Sequence, residues 1–182
     1  MVKIAKAKKY FWIALGAILI IGLGFYFWQT YGWKIGIDAS CVNLEKHKIV
    51  GDSMEPLLRD GMKVKGLIGY YECNEIKKEE IAILGFLTRE ETFVKRIAGL
   101  PGDELIFEGE QAKLNGETLK NSSGEPYLFS ERSQRIITIP LKDGKIPEER
   151  YFVLGEEKDA SVFDSRQYGF VQKEHLKGRV IY

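Results

Sequence analysis

Two side chains in the sequence have the chemistry of a nucleophile and its base. Ser53 lies in the segment GDSMEP, where glycine and proline interrupt regular structure, so a loop presents its hydroxyl. A serine hydroxyl becomes a good nucleophile only when a base removes its proton. Lys95 lies in the strand-like segment ETFVKRIA, and alternation puts it on one face with Phe93 and Ile97. Because apolar surroundings lower the pKa of a lysine, Lys95 is a candidate base for Ser53.

Each candidate also has an ordinary interpretation. Serine is common in turns, and a strand lysine often extends along apolar surface to reach water. A histidine is an alternative base, and the sequence has two, His47 and His175. Neither lies in the local setting of a Ser-His-Asp triad, so we interpret both as structural. The Ser/Lys hypothesis therefore depends on the rest of the chain.

Short β-favouring segments must position these side chains. Many short strands separated by turns predict a mostly β domain, an antiparallel β-barrel or sandwich. Asn115-Gly116 is a strong two-residue hairpin signal. The polar residues 120–134 are interpreted as a loop or insertion, and 172–178 as a possible short helical turn. The predicted strands are 47–50, 62–68, 81–86, 91–98, 104–107, 112–114, 117–119, 135–139, 151–154 and 179–182.

An uncharged segment of 24 residues, 10–33, precedes the β-rich part of the chain. As a helix at about 1.5 Å per residue it would reach roughly 36 Å, more than the roughly 30 Å of a bilayer's hydrocarbon core. Aromatic residues crowd both of its ends, as in an interfacial belt. It is longer than the apolar part of a secretory signal, and no small-residue cleavage site follows it. We therefore expect one N-terminal transmembrane helix in the lipid bilayer.

The distribution of lysines predicts the orientation of this helix. Residues 1–9 carry four lysines and no acidic residue. Positively charged flanks stay on the cytoplasmic side, so the N-terminus is expected in the cytoplasm. The chain then divides into a cytoplasmic tail at 1–9, a single-pass helix of the cell membrane at 10–33 and an extracytoplasmic catalytic domain at 34–182.

Composition argues against several classes of function. The net charge is +1 overall, but residues 34–182 contain 23 basic and 26 acidic residues, a net charge of −3. Without a basic stripe, nucleic acid is not an expected partner.

The cysteines and histidines lack the close spacing of metal ligands, so we expect no metal site and no cofactor. Cys41 and Cys73 lie on the exported side, where a disulfide can persist, but sequence alone leaves their pairing open.

The segment GDSMEP and the segment FVKRIAGLPGD, about forty residues later, together resemble the type I signal peptidases, a family of membrane-anchored Ser/Lys proteases. The resemblance continues through IFEGEQAKLNGETL and IPEERYFVLGEEKDASVFDSRQYGFV, and covers most of residues 47–182. It implies that Ser53 is the nucleophile, that its N–H contributes to an oxyanion hole, and that Lys95 is the general base. It also implies that Met54 helps to line the substrate pockets and that the substrates are exported preproteins, cleaved after small residues. We expect a monomer.

Some positions depart from the family pattern. Gly51 stands where some members have a Ser or Thr whose hydroxyl joins the oxyanion hole. The family serine that hydrogen-bonds to the lysine maps onto Ser161 only with one extra residue before Asp164. Asp164 and Arg166 match better and are interpreted as a supporting ion pair.

The last motif departs as well. Where the family has Gly-Asp-Asn, residues 155–157 are Gly-Glu-Glu. We interpret residues 156–159 as a solvated acidic loop.

Three alternatives accompany the signal peptidase hypothesis. A specialised maturation peptidase of the same family, serving a conjugation or pilus system, would act on one or a few proteins. A second alternative is a membrane-tethered β-domain that binds exported chains without cleaving them. Such a domain would not need both Ser53 and Lys95. Self-cleaving repressors use the same pair, but they carry a DNA-binding domain where this chain has an apolar segment.

Overall fold

The first structural element is a helix, α1, at residues 15–27. The structure, a computed structural model, describes residues 15–27, 37–86, 91–158 and 163–182. Helix α1 belongs to a unit formed by Met1–Ile37, and a second unit comprises Asp38–Tyr182. Within the described residues, no helix combines the length and the apolar character needed to cross a membrane. The transmembrane helix expected at 10–33 lies partly outside those residues, so it stays a prediction, as do the domain boundaries drawn around it.

Antiparallel strands make up most of the second unit. The strands are β1 (Asn43–Lys48), β2 (Lys63–Ile68), β3 (Ile81–Gly85), β4 (Thr92–Gly99), β5 (Leu105–Glu108), β6 (Gln111–Leu114), β7 (Glu117–Thr118), β8 (Arg150–Leu154), β9 (Val171–Gln172) and β10 (Leu176–Ile181). Seven of them form one sheet in the order β1-β2-β10-β3-β4-β8-β9, and β5-β6-β7 form another. The mostly antiparallel β fold is confirmed. The larger sheet does not close on itself, because it begins at β1 and ends at β9.

The predicted hairpin at Asn115-Gly116 joins β6 and β7. Leu114 pairs with Glu117, which leaves two residues in the turn. Asn115 has φ 51° and Gly116 has φ 84°. A two-residue turn that matches the twist of the strands needs positive φ at both positions, and Asn and Gly tolerate it best.

The predicted strand at 135–139 is wrong, because its first four residues lie in helix α3 (Glu131–Thr138) and Ile139 is the C-cap of that helix. The β-branched run from Ile136 to Ile139 favours a strand. The helix forms because the Ser130 hydroxyl caps it by accepting from the Ser133 N–H, while Ser133 and Ile137, four residues apart, face the interior. The loop predicted at 120–134 therefore ends at residue 130. Short helical segments elsewhere in the described residues include α2 (Tyr70–Cys73), α4 (Ser165–Tyr168) and a 3₁₀ turn (Lys173–His175), the last within the predicted turn at 172–178.

In the described part of the chain, apolar clusters hold the elements together. One packs the small sheet and α3 against β4 and β8, with Phe129, Ile137, Phe152 and Leu154 fully buried. A second packs the loop between β1 and β2 onto the larger sheet. Cys41 and Cys73 form the disulfide that the sequence left open, with their Cα atoms 6.2 Å apart.

Candidate active site

Ser53 lies on the loop of residues 49–62, which connects β1 to β2. The loop is closed at its base, where the Ile49 N–H donates to the Met62 carbonyl and the Gly61 N–H donates to the Ile49 carbonyl. Met54 and Leu58 are buried against the sheet in the second apolar cluster. The loop therefore carries its own apolar anchors, which fix the position of the neighbouring serine.

Gly51 has a backbone conformation that favours glycine. Its φ is +87°, in the left-handed region, and its N–H donates to Asp60 Oδ1 at 2.9 Å. A serine or threonine at this position would be strained. Among the described residues, the Ser53 N–H has no acceptor, which leaves that donor available to a ligand.

Lys95 comes from the middle of β4 and meets Ser53 directly. Lys95 Nζ donates a hydrogen bond to Ser53 Oγ at 2.7 Å, and the lysine is only 2% exposed. Burial lowers the pKa of Lys95 from 10.5 to about 8, while the Asp164 carboxylate limits the shift. An amine with a pKa near 8 exists partly in its neutral form at physiological pH, and the neutral form can accept a proton.

A buried polar cluster lies behind the serine loop, and Glu156 is its centre. The Glu156 N–H donates to the Ser53 carbonyl at 2.8 Å. Its carboxylate accepts hydrogen bonds from Arg96 and from the Ser122 N–H. Glu156 is 1% exposed, so the interpretation of residue 156 as part of a solvated loop is wrong. The physical reason is the buried Arg96 guanidinium, which neutralises the carboxylate.

Asp164 and Arg166 form a second buried pair next to this cluster. Arg166 Nη2 donates to Asp164 Oδ2 at 2.6 Å, and both side chains are fully buried. The Gly155 N–H also donates to Asp164, at 2.8 Å. Arg166 donates in addition to the carbonyls of residues 157 and 158. The pair thus holds the chain on both sides of Glu156. Ser161 lies outside the described residues.

Sequence reasoning missed the roles of Glu156, Arg96 and Tyr127 in this site. The Tyr127 hydroxyl donates to the Gly155 carbonyl at 2.8 Å. Arg96 directly follows the candidate base in the sequence, and strand alternation turns it to the opposite face. A charged residue on a buried strand needs a charged partner. That signal could have indicated a buried carboxylate, although it could not have identified Glu156.

A cavity of about 200 Å³ adjoins the serine and the lysine. Its apolar lining includes Met54, Val64, Ile83, Phe93 and Val180. His47 also borders it, but neither histidine hydrogen-bonds to Ser53 within the described part of the chain. His47 Nε2 lies 3.5 Å from Glu45 Oε2, and His175 Nδ1 accepts from the Gln172 N–H. The described residues contain no cluster of His, Cys, Asp or Glu side chains that could hold a metal ion.

The arrangement has the parts needed for acyl transfer. It presents a hydroxyl on a fixed loop, a buried amine at hydrogen-bond distance, an available backbone donor on the serine itself and an apolar cavity beside them.

Known proteins with similar sequences are proteases. Residues 33–182 match the family described as "Signal peptidase, peptidase S26". "Signal peptidase IB" of Staphylococcus aureus is 27% identical over 143 residues, covering 74% of this chain and 74% of that protein. "Signal peptidase I" of Bacillus licheniformis is 28% identical over 139 residues, covering 74% of this chain and 73% of that protein. A crystal structure of a signal peptidase I from Enterococcus faecalis V583 aligns with 59% of this chain and 98% of its own, at 23% identity and a TM-score of 0.45.

Proposed function

We propose that this chain, which belongs to the signal peptidase family, peptidase S26, and is a serine endopeptidase, removes N-terminal signal peptides from exported preproteins. In this proposal the enzyme is bound to the membrane, and Ser53 and Lys95 carry out the cleavage. The observation that carries the proposal is the hydrogen bond of 2.7 Å between Lys95 Nζ and Ser53 Oγ. The lysine in this contact is buried, and its pKa is lowered to about 8.

The proposed reaction begins when the neutral Lys95 amine accepts the hydroxyl proton of Ser53. Ser53 Oγ attacks the carbonyl carbon of the scissile peptide bond and forms a tetrahedral intermediate. The intermediate collapses as the C–N bond breaks, and Lys95 gives its proton to the leaving amine. A water molecule, deprotonated by Lys95, then hydrolyses the acyl-enzyme and restores the serine. No metal or cofactor takes part.

The negative charge of the tetrahedral intermediate needs donors that are already in position. The Ser53 N–H supports this role, because the described residues offer it no acceptor. The hydrogen bond from the Glu156 N–H to the Ser53 carbonyl fixes the backbone of the same residue. Preorganised donors of this kind contribute about 3–4 kcal/mol each to transition-state stabilisation.

The remaining residues have binding and positioning roles in the proposal. Met54 lines the apolar cavity beside the serine, where small substrate side chains would bind. Asp164 and Arg166 position the segment behind Ser53 through their hydrogen bonds to it. Ser161 would hydrogen-bond to the Lys95 amine and orient it.

The membrane location is also part of the proposal. The lysines at 1–9 and the uncharged segment 10–33 support a single-pass anchor with a cytoplasmic N-terminus. The disulfide between Cys41 and Cys73 supports an oxidising, extracytoplasmic compartment for the catalytic domain. An enzyme and a substrate confined to the same bilayer meet at a raised effective concentration. We propose that the enzyme acts there as a monomer.

Cleavage of a preprotein by the purified full-length chain in detergent tests the proposal. The wild-type chain should release a mature protein whose new N-terminus lies at one defined bond. Ser53→Ala should reduce the rate by at least about a thousandfold, since it removes the nucleophile. Ser133→Ala provides the control, because Ser133 lies on helix α3, outside the candidate site. Cleavage by Ser53→Ala at a rate near that of the wild type would refute the proposal.

A further inference from the structure

Four lysines lie on one face of the hairpin formed by β1 and β2. Lys46 is directly opposite Lys65, and Lys48 is directly opposite Lys63. Residues two apart in a strand share a face, so the two pairs lie side by side. All four side chains are exposed. We call this set the lysine face.

The lysine face lacks compensating charge. Within the described residues, none of its four amines has a carboxylate within 4.0 Å. Like charges directly opposite each other in a sheet are destabilising. Lysines on an edge strand can protect it from pairing with other chains, which would account for β1. That explanation does not extend to β2, because β2 pairs with β1 on one side and with β10 on the other.

We propose that the lysine face binds the anionic headgroups of the lipid bilayer that holds the enzyme. The charge pattern is complementary to such a surface, which attracts basic residues. Leu44 precedes Lys46 on the same face and is 44% exposed, so it adds an apolar side chain at the end of the face. Basic and apolar residues together are typical of surfaces that bind at a membrane interface.

The length of the chain allows this contact. Residues 34–42 separate the predicted membrane segment from β1. Nine residues span at most about 30 Å when fully extended. The hairpin is therefore tethered close to the bilayer, provided that 10–33 is the anchor, so the inference depends on the membrane location in the proposed function. The same hairpin carries the Ser53 loop, and lipid binding would restrict the orientation of that loop relative to the membrane.

Chemical labelling of lysines tests the proposal on the full-length chain. The chain is reconstituted in nanodiscs of phosphatidylcholine alone, or with about one third phosphatidylglycerol, and labelled with an amine-reactive reagent. A basic residue near an anionic bilayer gains roughly fivefold in occupancy. We therefore expect the labelling of Lys46, Lys63 and Lys65 to slow about fivefold in the anionic nanodiscs. The exposed lysines Lys77, Lys120 and Lys142 serve as internal controls and should change less than twofold.

The proposal would be overturned by equal labelling of the lysine face in both nanodiscs, by equal slowing of the control lysines, or by slowing that persists in 1 M NaCl. Equal protection by soluble polyphosphate in neutral nanodiscs would also overturn it, because the surface would then prefer a soluble polyanion. Labelling does not require turnover, so the experiment is repeated with Ser53→Ala. A wild-type chain that fails to stay in the nanodiscs would instead refute the membrane anchor, and a wild-type chain that does not cleave a preprotein would refute the proposed activity.

A charge-removing variant gives a second, independent measurement. Lys46→Gln, Lys63→Gln and Lys65→Gln are combined, while Lys48 stays because it also borders the active-site cavity. The matched control combines Lys77→Gln, Lys120→Gln and Lys142→Gln. A dye attached to the hairpin reports lipid binding by a change in its fluorescence. With anionic lipid, this change should be at least about fivefold smaller in the first variant than in the wild type. A response like that of the control variant would contradict the proposal.

Discussion

At the scale of single residues, the environment of Lys95 makes the proposed chemistry possible. With a pKa near 10.5, an amine is neutral in roughly one molecule in three thousand at pH 7. With the pKa of Lys95 lowered to about 8, roughly one molecule in ten has the neutral form. Burial therefore raises the reactive population by more than two orders of magnitude.

The identity of the base gives a prediction at this scale. Lys95→Arg keeps a positive charge, but a guanidinium stays protonated at any usable pH and cannot accept the Ser53 proton. We expect kcat/KM for a preprotein substrate to fall by about a thousandfold or more. Lys95→Ala should lose a similar amount, and the melting temperature of each variant shows whether it folds. Activity of the arginine variant within tenfold of the wild type would mean that residue 95 supplies charge rather than base catalysis.

At the scale of structural elements, the serine loop depends on a buried ion pair in the neighbouring segment. Arg96 and Glu156 join β4 to the residues after β8, and the Glu156 N–H holds the Ser53 carbonyl. Arg96 has a second partner, Glu79, whose side chain is 67% exposed. The two glutamates therefore form a natural comparison, since they contact the same guanidinium from buried and exposed positions.

Replacing these glutamates one at a time should have very different effects on stability. Glu156→Ala leaves a buried arginine without its main partner and should lower the free energy of unfolding by about 3–5 kcal/mol. Glu79→Ala removes an exposed pair and should cost less than about 1 kcal/mol. Thermal unfolding measures both, and Glu156→Ala should melt about 10 °C lower than the wild type. Similar small shifts for the two variants would show that the buried pair does not stabilise this region.

The elements that sequence reasoning predicted are those whose signals are local. The hairpin at Asn115-Gly116 depends on two adjacent residues, and most strands depend on short β-favouring runs. Helix α3 was missed because its β-branched residues favour a strand, whereas the burial of Ile137 in a core with Phe129 and Phe152 depends on distant contacts.

The candidate site shows the same limit. Ser53 and Lys95 are 42 positions apart, so their residue types make them a candidate pair, but only the resemblance to a family makes the pairing specific. Glu156 is 60 positions from Arg96. A run of acidic residues is usually solvated, so nothing near Glu156 in the sequence indicates that it is buried.

At the scale of the whole molecule, the disulfide connects the start of the second unit to helix α2. Cys41 and Cys73 are 32 positions apart. Closing a loop of that length stabilises the folded state by about 3–4 kcal/mol on the chain-entropy relation. The bond therefore makes the stability of the domain depend on the compartment in which it folds.

Reduction should accordingly destabilise the wild-type chain and leave a cysteine variant unaffected. We expect dithiothreitol to lower the melting temperature of the wild type by about 10 °C. The double variant Cys41→Ser, Cys73→Ser should melt at the reduced temperature whether or not the reagent is present. Two freely alkylatable thiols in protein isolated from its native compartment would show that the bond is not formed in the cell.

The pH dependence of kcat/KM is the most direct test of the central claim, that Lys95 is the base for Ser53. This quantity reports ionisations of the free enzyme, and a peptide substrate without ionisable groups near the scissile bond isolates them. The reactive amine is the neutral form, so activity should be lost as the pH falls through the pKa of Lys95. We predict that kcat/KM increases about tenfold per pH unit below a pKa of about 8 and becomes level above it. A profile that is flat from pH 6 to pH 9, or one that falls as the pH rises through 8, would contradict the assignment of Lys95 as the general base.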